Sequence, residues 1–421
     1  MTVQEALACG LGEQLTERFF RYVAIPSQSD AAAAEVPSSE GQWQLAQLLQ
    51  SELLNAGCED VHLSEHCVLT ARIASNSQRD LPAVGLCAHL DTVDIGLSPE
   101  VHPRIVHHTG GDICLNSKAG IYIREDEHPE IRHYIGEDLI VSDGTSVLGA
   151  DDKASLASIM TVVALLHQGL ELEHGDIYIA FVPDEEIGLR GVKMLDLTRF
   201  PVNFAYTLDC CEIGELVYET FNAASVDISI KGVSAHPMAA KGVLVNASLI
   251  AVDLANQLDR LQTPENTEGR EGYTWLYSIE ATPAQAALSL DIRDHDLQGY
   301  QEKKQYIAEA VALMQKRYPR AQISLRIDDI YGNIRDALNE QNRHCVDHLY
   351  EAMERLHIEA QTLAMRGGTD GSYLSTQGIP TPNFFTGAHN FHSHCEFLPI
   401  PSFEKSCATL LTLLEVIAEH G

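Results

Sequence analysis

This sequence of 421 residues lacks the features that mark several large classes of protein. No stretch approaches the ~20 consecutive apolar residues of a membrane span, and residues 1–20 lack the charged-then-apolar pattern of a signal peptide. Basic residues are scarce, because 28 Lys and Arg stand against 60 Asp and Glu, which gives a formal net charge of -32. We therefore expect a cytoplasmic protein that binds neither nucleic acid nor a membrane.

The ten cysteines form no Cys-x-x-Cys pair. A disulfide framework is not expected in a chain with this much core-forming sequence and no export signal. Cys87 stands in an apolar run and is expected to be a small buried hydrophobe. Cys210 and Cys211 differ, because they directly follow Asp209, a candidate metal ligand.

The sequence does contain residues of the types that bind metals, in five short segments. In three of them the polar residues follow an apolar run of strand length: residues 83–88 before His89, residues 177–182 before Asp184-Glu185-Glu186, and residues 204–208 before Asp209. Runs that are apolar throughout indicate a sheet covered on both faces, whose ligand crevice lies outside the carboxyl ends of the strands. We expect these polar residues to meet at one edge of the sheet.

The other two segments supply Asp151 and Asp152, which open a helical pattern, and His392 with His394 near the end of the chain. Each segment has a simpler interpretation: a hydrogen-bonded His-x-Asp turn, a helix cap, a solvated Glu-Glu pair or an exposed histidine. The coincidence of strand ends with ligand-type residues favours metal binding. Zinc takes His nitrogen and carboxylate oxygen, and two such ions share a bridging carboxylate and an acidified bridging water. The pattern predicts a two-zinc hydrolase site that needs no catalytic Ser or Cys.

The length of the chain predicts two domains. From about residue 222 the pattern follows the order β-α-β-β-α-β, which is typical of a ferredoxin-like sandwich. We therefore predict an α/β catalytic domain from residues 1–220 and 334–421, with a mixed, mostly parallel sheet and helices on both faces, and an inserted α+β domain from residues 221–333. Residues 96–136 are irregular, and a surface excursion of this length is usually functional or carries local structure.

Five ordered stretches identify a family. They are Val-Pro-Ser-Ser-Glu-Gly-Gln at 36–42, Leu-Gly-Ala-Asp-Asp-Lys-Ala at 148–154, Phe-Asn-Ala-Ala-Ser at 221–225, Ala-Lys-Gly-Val-Leu-Val-Asn-Ala at 240–247 and Arg-Gly-Gly-Thr-Asp-Gly at 366–371. Through them the chain resembles the tripeptide aminopeptidases, the peptidase T branch of the M20 zinc metallopeptidases, from Phe19 nearly to its end. The resemblance implies release of the N-terminal residue from tripeptides by a metal-bridged water, with two Zn²⁺ ions per chain. It also implies that the inserted domain is a lid or a dimerisation domain, so that a homodimer is one expected assembly.

The same resemblance implies a ligand set. His89 and Asp209 would hold one zinc ion, Glu186 and His392 the other, and Asp151 would bridge both.

Three further residues are implied to act in catalysis. Glu185 would be the general base, and Asp91 would orient the imidazole of His89 through its second ring nitrogen. His236, in the inserted domain, would stabilise the oxyanion. The stretch Ser234-Ala235-His236-Pro237 is also compatible with an ordinary strand-end turn.

Substrate contacts are implied for Arg293 and Asn246, and Arg366 either grips a peptide carboxylate or braces the glycine-rich loop. Several positions depart from the family pattern, namely Ser155, Cys210-Cys211-Glu212, Met238, Ala388 and Cys395. None of them is a proposed ligand or the base, so they affect the substrate more than the chemistry.

Two alternatives remain open. One is another amide hydrolase of the same fold: a dipeptidase, a carboxypeptidase or an N-acyl amino acid deacylase. The other is a non-catalytic metal-dependent peptide binder, against which Glu185 argues because binding alone needs no base.

Overall fold

The computed structural model of the chain describes residues 1–421, and these divide into two compact units. The first unit consists of Met1–Tyr218, Ala337–Leu363 and Thr369–Gly421, and the second of Glu219–Asp336 and Ala364–Gly368. The chain therefore passes between the units at 218/219, 336/337, 363/364 and 368/369. Residues 364–368, which overlap the glycine-rich stretch 366–371, belong to the second unit although they lie beyond its main segment in sequence.

Nine α-helices and seventeen strands make up the two units. The helices are α1 (Val3–Cys9), α2 (Gly12–Val23), α3 (Glu40–Asn55), α4 (Ala150–His167), α5 (Ala247–Ala255), α6 (Leu297–Arg317), α7 (His344–Arg355), α8 (Asp370–Thr376) and α9 (Ile400–His420). The strands are β1 (Glu59–Leu63), β2 (Leu69–Ile73), β3 (Val84–His89), β4 (Arg104–His107), β5 (Ile113–Asn116), β6 (Ile121–Ile123), β7 (Asp138–Val141), β8 (Ile177–Val182), β9 (Phe204–Cys210), β10 (Glu215–Glu219), β11 (Asn222–Lys231), β12 (Tyr273–Ala281), β13 (Gln285–Asp294), β14 (Gln322–Tyr331), β15 (Gln361–Ala364), β16 (Asn383–Phe385) and β17 (Phe397–Pro399). No helix is both long enough and apolar enough to cross a membrane.

An eight-stranded sheet, in the order β1-β2-β8-β3-β9-β16-β10-β15, runs through the first unit. Its central strands β8, β3, β9 and β16 are parallel, while β1 with β2, β2 with β8, and β16 with β10 pair antiparallel. All six residues of β3 are buried, which requires cover on both faces of the sheet. The predicted mixed α/β sheet is confirmed, with its parallel part at the centre.

The three apolar runs of the sequence form the neighbouring strands β8, β3 and β9. Because these strands are parallel, the residues that follow them emerge at the same edge of the sheet. Helix α4 packs against β3 and β9, and its first turn carries Asp151 and Asp152. Both Asp residues have non-helical backbone angles, so the regular helix begins after them.

The excursion at residues 96–136 has local structure of its own. It contains β4, the β5-β6 hairpin and a 3-10 helix, Pro129–Tyr134. Strand β4 joins β7 and β17 in a small sheet, and β17 begins just after the His392 segment. Cys395 and Phe397 pack into the hydrophobic cluster of the excursion. The excursion therefore supports the segment that carries His392.

The second unit has the predicted β-α-β-β-α-β order, formed by β11, α5, β12, β13, α6 and β14. Its four strands lie in the order β12-β13-β11-β14 and are antiparallel throughout. Along β11 the buried positions 224, 226, 228 and 230 face a core shared with α5 and α6. This arrangement is the ferredoxin-like sandwich that the alternating pattern predicts.

Candidate metal centre

Asp151 lies between two histidines in the first unit. Its Oδ1 is 2.9 Å from Nε2 of His89, and its Oδ2 is 3.0 Å from Nε2 of His392. The carboxylate is buried at 8 % exposure. Each oxygen of one carboxylate therefore faces a different imidazole.

His89 is the last residue of β3 and its side chain is 2 % exposed. Its Nδ1 lies 3.0 Å from the carbonyl oxygen of Asp91 and 3.4 Å from Oδ1 of the same residue. Both of these atoms accept hydrogen bonds, so Nδ1 keeps its proton when a metal ion replaces the proton on Nε2. The ring is therefore held in the tautomer that a metal ligand requires.

The side chain of Asp91 also ties this strand end to the next one. Its Oδ1 accepts the backbone N–H of Glu185 at 3.0 Å, and its Oδ2 accepts that of Glu186 at 3.2 Å. One buried carboxylate thus fixes both the ring of His89 and the Glu185-Glu186 pair.

His392 is shared between two carboxylates. Its Nε2 lies 2.9 Å from Oε1 of Glu186 as well as 3.0 Å from Oδ2 of Asp151. Although the side chain of Glu186 is only 6 % exposed, the geometry leaves its Oε1 without a hydrogen bond. His89, Asp151 and Glu186 each offer a ligand atom, and these atoms lie within 4.8 Å of one another.

These contacts fit a cation. The single N–H on Nε2 of His392 is shared between the carboxylates of Asp151 and Glu186, and Oε1 of Glu186 is left without a hydrogen bond. Buried carboxylates gathered without enough hydrogen-bond donors are compensated by a positive charge. Imidazole nitrogen and carboxylate oxygen are donors that bind zinc and other transition-metal ions.

Asp209 lies near the end of β9, next to these groups. Burial raises the pKa of its carboxyl well above the usual value, and the negative charges of Asp151 and Asp152 add to this effect. Asn383 of β16 holds its backbone, accepting the N–H of Asp209 at 2.7 Å and donating to its carbonyl oxygen at 2.9 Å. Asp209 lies outside the group of three ligand atoms within 4.8 Å.

The pKa of the carboxyl is raised in both Glu185 and Glu186, but different neighbouring groups contribute to the two shifts. Burial raises the pKa of Glu185 well above its usual value; His89 opposes this, and the negative charges of Asp209 and Asp370 reinforce it. Burial also raises the pKa of Glu186, to about 7. For Asp151 burial acts in the same direction, but hydrogen bonds from His392 and His89 outweigh it and hold its pKa below the usual value.

Glu396 is a supporting residue that the sequence analysis missed. Its Oε2 accepts the N–H groups of Leu148 at 2.7 Å and Gly149 at 2.8 Å, and its Oε1 accepts those of Ala150 at 2.8 Å and Asp151 at 3.3 Å. The side chain is 1 % exposed. One carboxylate therefore joins the segment of Asp151 to the segment of His392.

Asp184 was expected at this edge of the sheet, but the sequence did not show its supporting role, which explains the family stretch at 36–42. Its carboxylate accepts the N–H of Ser38 at 2.8 Å, the hydroxyl of Ser38 at 2.5 Å and Nε2 of Gln42 at 2.7 Å. These bonds anchor the start of α3 beside Glu185. The signal in the sequence was the polar stretch itself, whose partner is 142 residues away.

Comparison with known proteins places the chain in a family. Residues 149–416 match the model of peptidase family M20/M25/M40. A peptidase T-like protein of Yersinia pestis is 54% identical over 402 residues, which cover 95% of this chain and 97% of that protein. Peptidase T of Caldanaerobacter subterraneus subsp. tengcongensis is 41% identical, covering 97% of this chain and 100% of that protein. The chain belongs to peptidase family M20.

The fold agrees with this membership. The crystal structure of aminopeptidase PepT from Bacillus cereus superimposes with a TM-score of 0.73 at 21% identity, covering 97% of this chain and 99% of that one. The peptidase is therefore a hydrolase with the M20 fold and a candidate metal-binding group at the expected edge of its sheet.

Positions that depart from the M20 pattern have contacts of their own. The hydroxyl of Ser155 bonds the carboxylate of Asp152 and the carbonyl oxygen of Leu208, and so links α4 to β9. Cys395 packs into the hydrophobic cluster of the excursion, whereas Met238 is 89% exposed.

The second unit contains the remaining candidate residues of this peptidase. His236 is exposed, and its Nδ1 accepts the N–H of Met238 at 3.2 Å. Asn246 caps α5, with its Oδ1 accepting the N–H of Ser248 at 3.0 Å. Arg293 donates to the carboxylate of Asp291 at 3.1 Å.

Arg366 is engaged entirely within the second unit. It donates to the carbonyl oxygens of Gly269 at 3.1 Å and Glu271 at 2.8 Å and to Oγ1 of Thr267 at 2.8 Å. Its guanidinium also lies over the rings of Phe221 and Tyr273, 5.2 and 5.4 Å from their centroids. Of the two interpretations of Arg366, these contacts favour the brace.

Proposed function

We propose that this M20 peptidase is a zinc-dependent aminopeptidase that releases the N-terminal residue from tripeptides. The proposal of a metal-dependent reaction rests on the carboxylate of Asp151, whose two oxygens face two separate imidazoles. The substrate class is supported by relatives named peptidase T that are 40 to 41% identical over nearly the whole chain.

The proposed ligands are His89 and Asp209 for one ion, Glu186 and His392 for the other, and Asp151 for both. A carboxylate whose two oxygens each face a separate imidazole is suited to bridge two cations. Bound zinc would supply a Lewis acid that polarises the scissile carbonyl and acidifies water.

Glu185 is the proposed general base. It accepts a proton from the attacking water and returns it to the nitrogen of the leaving amine. Burial raises the pKa of Glu185, which brings the carboxyl closer to the range useful for both proton transfers. The N–H of Glu185 donates a hydrogen bond to Oδ1 of Asp91 at 3.0 Å, which fixes the position of the backbone from which the side chain extends. A protein that only binds peptides would not need this group.

His236 is the proposed hydrogen-bond donor to the oxyanion. Its Nδ1 accepts the N–H of Met238, so the proton of the neutral ring lies on Nε2, where it can be donated to a developing negative charge. Arg293 and Asn246 remain proposed substrate contacts. Arg366 is proposed to brace the loop at residues 267–271. Location in the cytoplasm and assembly as a homodimer also remain predictions from the sequence.

Parallel assays of a free tripeptide, its N-acetylated form, its C-amidated form and a free dipeptide test the proposal. An aminopeptidase cleaves the free and the amidated peptide at the first bond and rejects the acetylated one. Loss of cleavage on amidation alone would indicate a carboxypeptidase, and release of acetate from the acetylated peptide would indicate a deacylase. Cleavage restricted to dipeptides would indicate a dipeptidase.

A further inference from the structure

Three histidines form a row on the first unit, outside the centre around Asp151. His344 and His348 are on α7, and their ring centroids are 5.4 Å apart at an interplanar angle of 57°. His420, the last residue of α9, stacks on His348 with centroids 5.5 Å apart and an angle of 13°. No role in the proposed reaction accounts for these rings.

The spacing of the rings is that of metal-binding imidazoles. His344 and His348 are four residues apart, so they lie on the same face of α7, one turn from each other. Two imidazoles that bind one ion through nitrogens about 2.0–2.1 Å from it have centroids roughly 5 Å apart. A shared ion would require the ring of His420 to turn out of its near-parallel stack on His348, so that one nitrogen of each ring faces the same point.

His348 has an unused ring nitrogen. The residue is 8% exposed, and its Nδ1 is buried without a hydrogen-bond partner. Burial lowers the pKa of this imidazole to about 4, with further lowering by His344 and His420. At neutral pH the ring is thus uncharged, which is the form that binds a metal.

His420 is oriented by a carboxylate. Its Nε2 lies 2.8 Å from Oε2 of Glu351, so an N–H donated there leaves the lone pair of the ring on Nδ1. A carboxylate behind a histidine is the arrangement that fixes the tautomer of metal-binding imidazoles. Arg355 holds Glu351 in place at 2.5 Å.

The space beside the rings accommodates an ion and its waters. A crevice of about 400 Å³ lies beside them, and its lining includes His344, His348 and His420 together with Asp347 and Glu351. Its two carboxylates, Asp347 and Glu351, are paired with Arg343 at 3.6 Å and Arg355 at 2.5 Å.

We propose that His344, His348 and His420 form a second metal site, for a divalent transition-metal ion such as Ni²⁺, Cu²⁺ or Zn²⁺. A bound ion would link α7 to the last turn of α9 and stabilise the first unit without taking part in peptide hydrolysis. The preference of imidazole nitrogen for these ions over Mg²⁺ and Ca²⁺ gives the site its selectivity.

Untagged protein with the substitution Asp151→Ala, which weakens the catalytic centre, is titrated with Ni²⁺. We expect one tightly bound equivalent and a rise in the melting temperature. In this background His344→Ala and His420→Ala should each weaken Ni²⁺ binding at least ~10-fold and remove the thermal shift, because each deletes one of three ligands. His66→Ala, at a half-exposed histidine outside this row, is the matched control and should change neither quantity.

Two further readouts address the site directly. Cu²⁺ bound to the Asp151→Ala protein should give an electron paramagnetic resonance spectrum with nitrogen couplings, and His344→Ala should reduce their number. In the otherwise native protein, His344→Ala and His420→Ala should leave tripeptide hydrolysis unchanged. If both variants kept the same Ni²⁺ affinity and thermal shift as the control, the site would be excluded.

Discussion

The two histidines that face Asp151 are supported in different ways. His89 ends a fully buried strand, its ring is held by Asp91, and its backbone N–H donates to Oδ2 of Asp152 at 3.1 Å. His392 lies in a turn with a positive φ of 57°, and its side chain is 47% exposed. The same carboxylate therefore has one partner fixed by the central sheet and another fixed by loops.

The loop side depends on contacts between segments far apart in sequence. Asn390 donates to Oε1 of Glu130 at 2.8 Å, and the hydroxyl of Tyr134 lies 2.6 Å from Nε2 of His389. Glu396 completes this support from the other end of the segment. Local unfolding of such a loop costs less than unfolding of a central strand, so a metal ion on the His392 side should exchange faster.

The largest effect is expected from Asp151→Ala, which removes the group common to both sides. Bound zinc should fall further than after loss of either histidine, and hydrolysis should fall by more than the ~10²–10⁴ expected for loss of a general base. Elemental analysis after dialysis and steady-state kinetics measure the two quantities. An unchanged stoichiometry would show that Asp151 is not shared.

Glu185→Gln should separate chemistry from metal binding. Turnover should drop by ~10²–10⁴ because no group accepts the proton of the attacking water, while bound zinc stays at the native level. Loss of zinc from this variant would instead make Glu185 a ligand, and full turnover would remove it from the mechanism.

The two histidines themselves provide the direct comparison. His89→Ala should lower both zinc affinity and thermal stability, because it also opens a cavity at the end of a buried strand. His392→Ala should lower zinc affinity with little change in melting temperature, because the side chain is nearly half exposed. Chelator competition and calorimetry test this pair, and equal thermal losses would contradict the proposed asymmetry.

Glu396→Gln probes the link between the two sides. An amide cannot accept four N–H bonds and would turn its own N–H₂ toward some of them, so the segment of Asp151 should lose its position. Zinc affinity should fall by ~10–100-fold, which is typical of residues that orient metal ligands. Glu404→Gln, at a carboxylate that accepts the N–H groups of Leu11 and Gly12, is the matched control and should leave zinc affinity unchanged. An effect of the same size in both variants would indicate a general loss of stability.

The smallest effect is expected from Glu130→Gln, which weakens one contact of the His392 loop. Zinc exchange on that side should accelerate by less than ~10-fold, since the contact acts on the loop and not on the ligand itself. Glu125→Gln in the same excursion, where the carboxylate pairs with Arg132, is the control. Identical exchange rates in the two variants would show that the excursion does not support the site.

The sequence by itself determined the parts of the molecule that depend on local periodicity. Apolar runs predicted β3, β8 and β9, and alternation of apolar and polar residues predicted β11 of the ferredoxin-like unit. A strand buried on both faces needs consecutive apolar side chains, and a strand buried on one face needs an apolar side chain at every second position. Since parallel strands end at one edge, the meeting of His89 with Glu186 also followed from the sequence.

Only the tertiary structure decided which polar groups hold these residues in place. Glu396 meets the N–H groups of residues 148–151 across about 245 positions of the chain, and Asp184 meets Gln42 across 142. In sequence Arg366 is compatible with gripping a substrate or bracing a loop, and its three hydrogen bonds to residues 267–271 favour the brace. A hydrogen bond needs its two atoms within about 3 Å, and no local pattern in the sequence records which distant segments packing will bring that close.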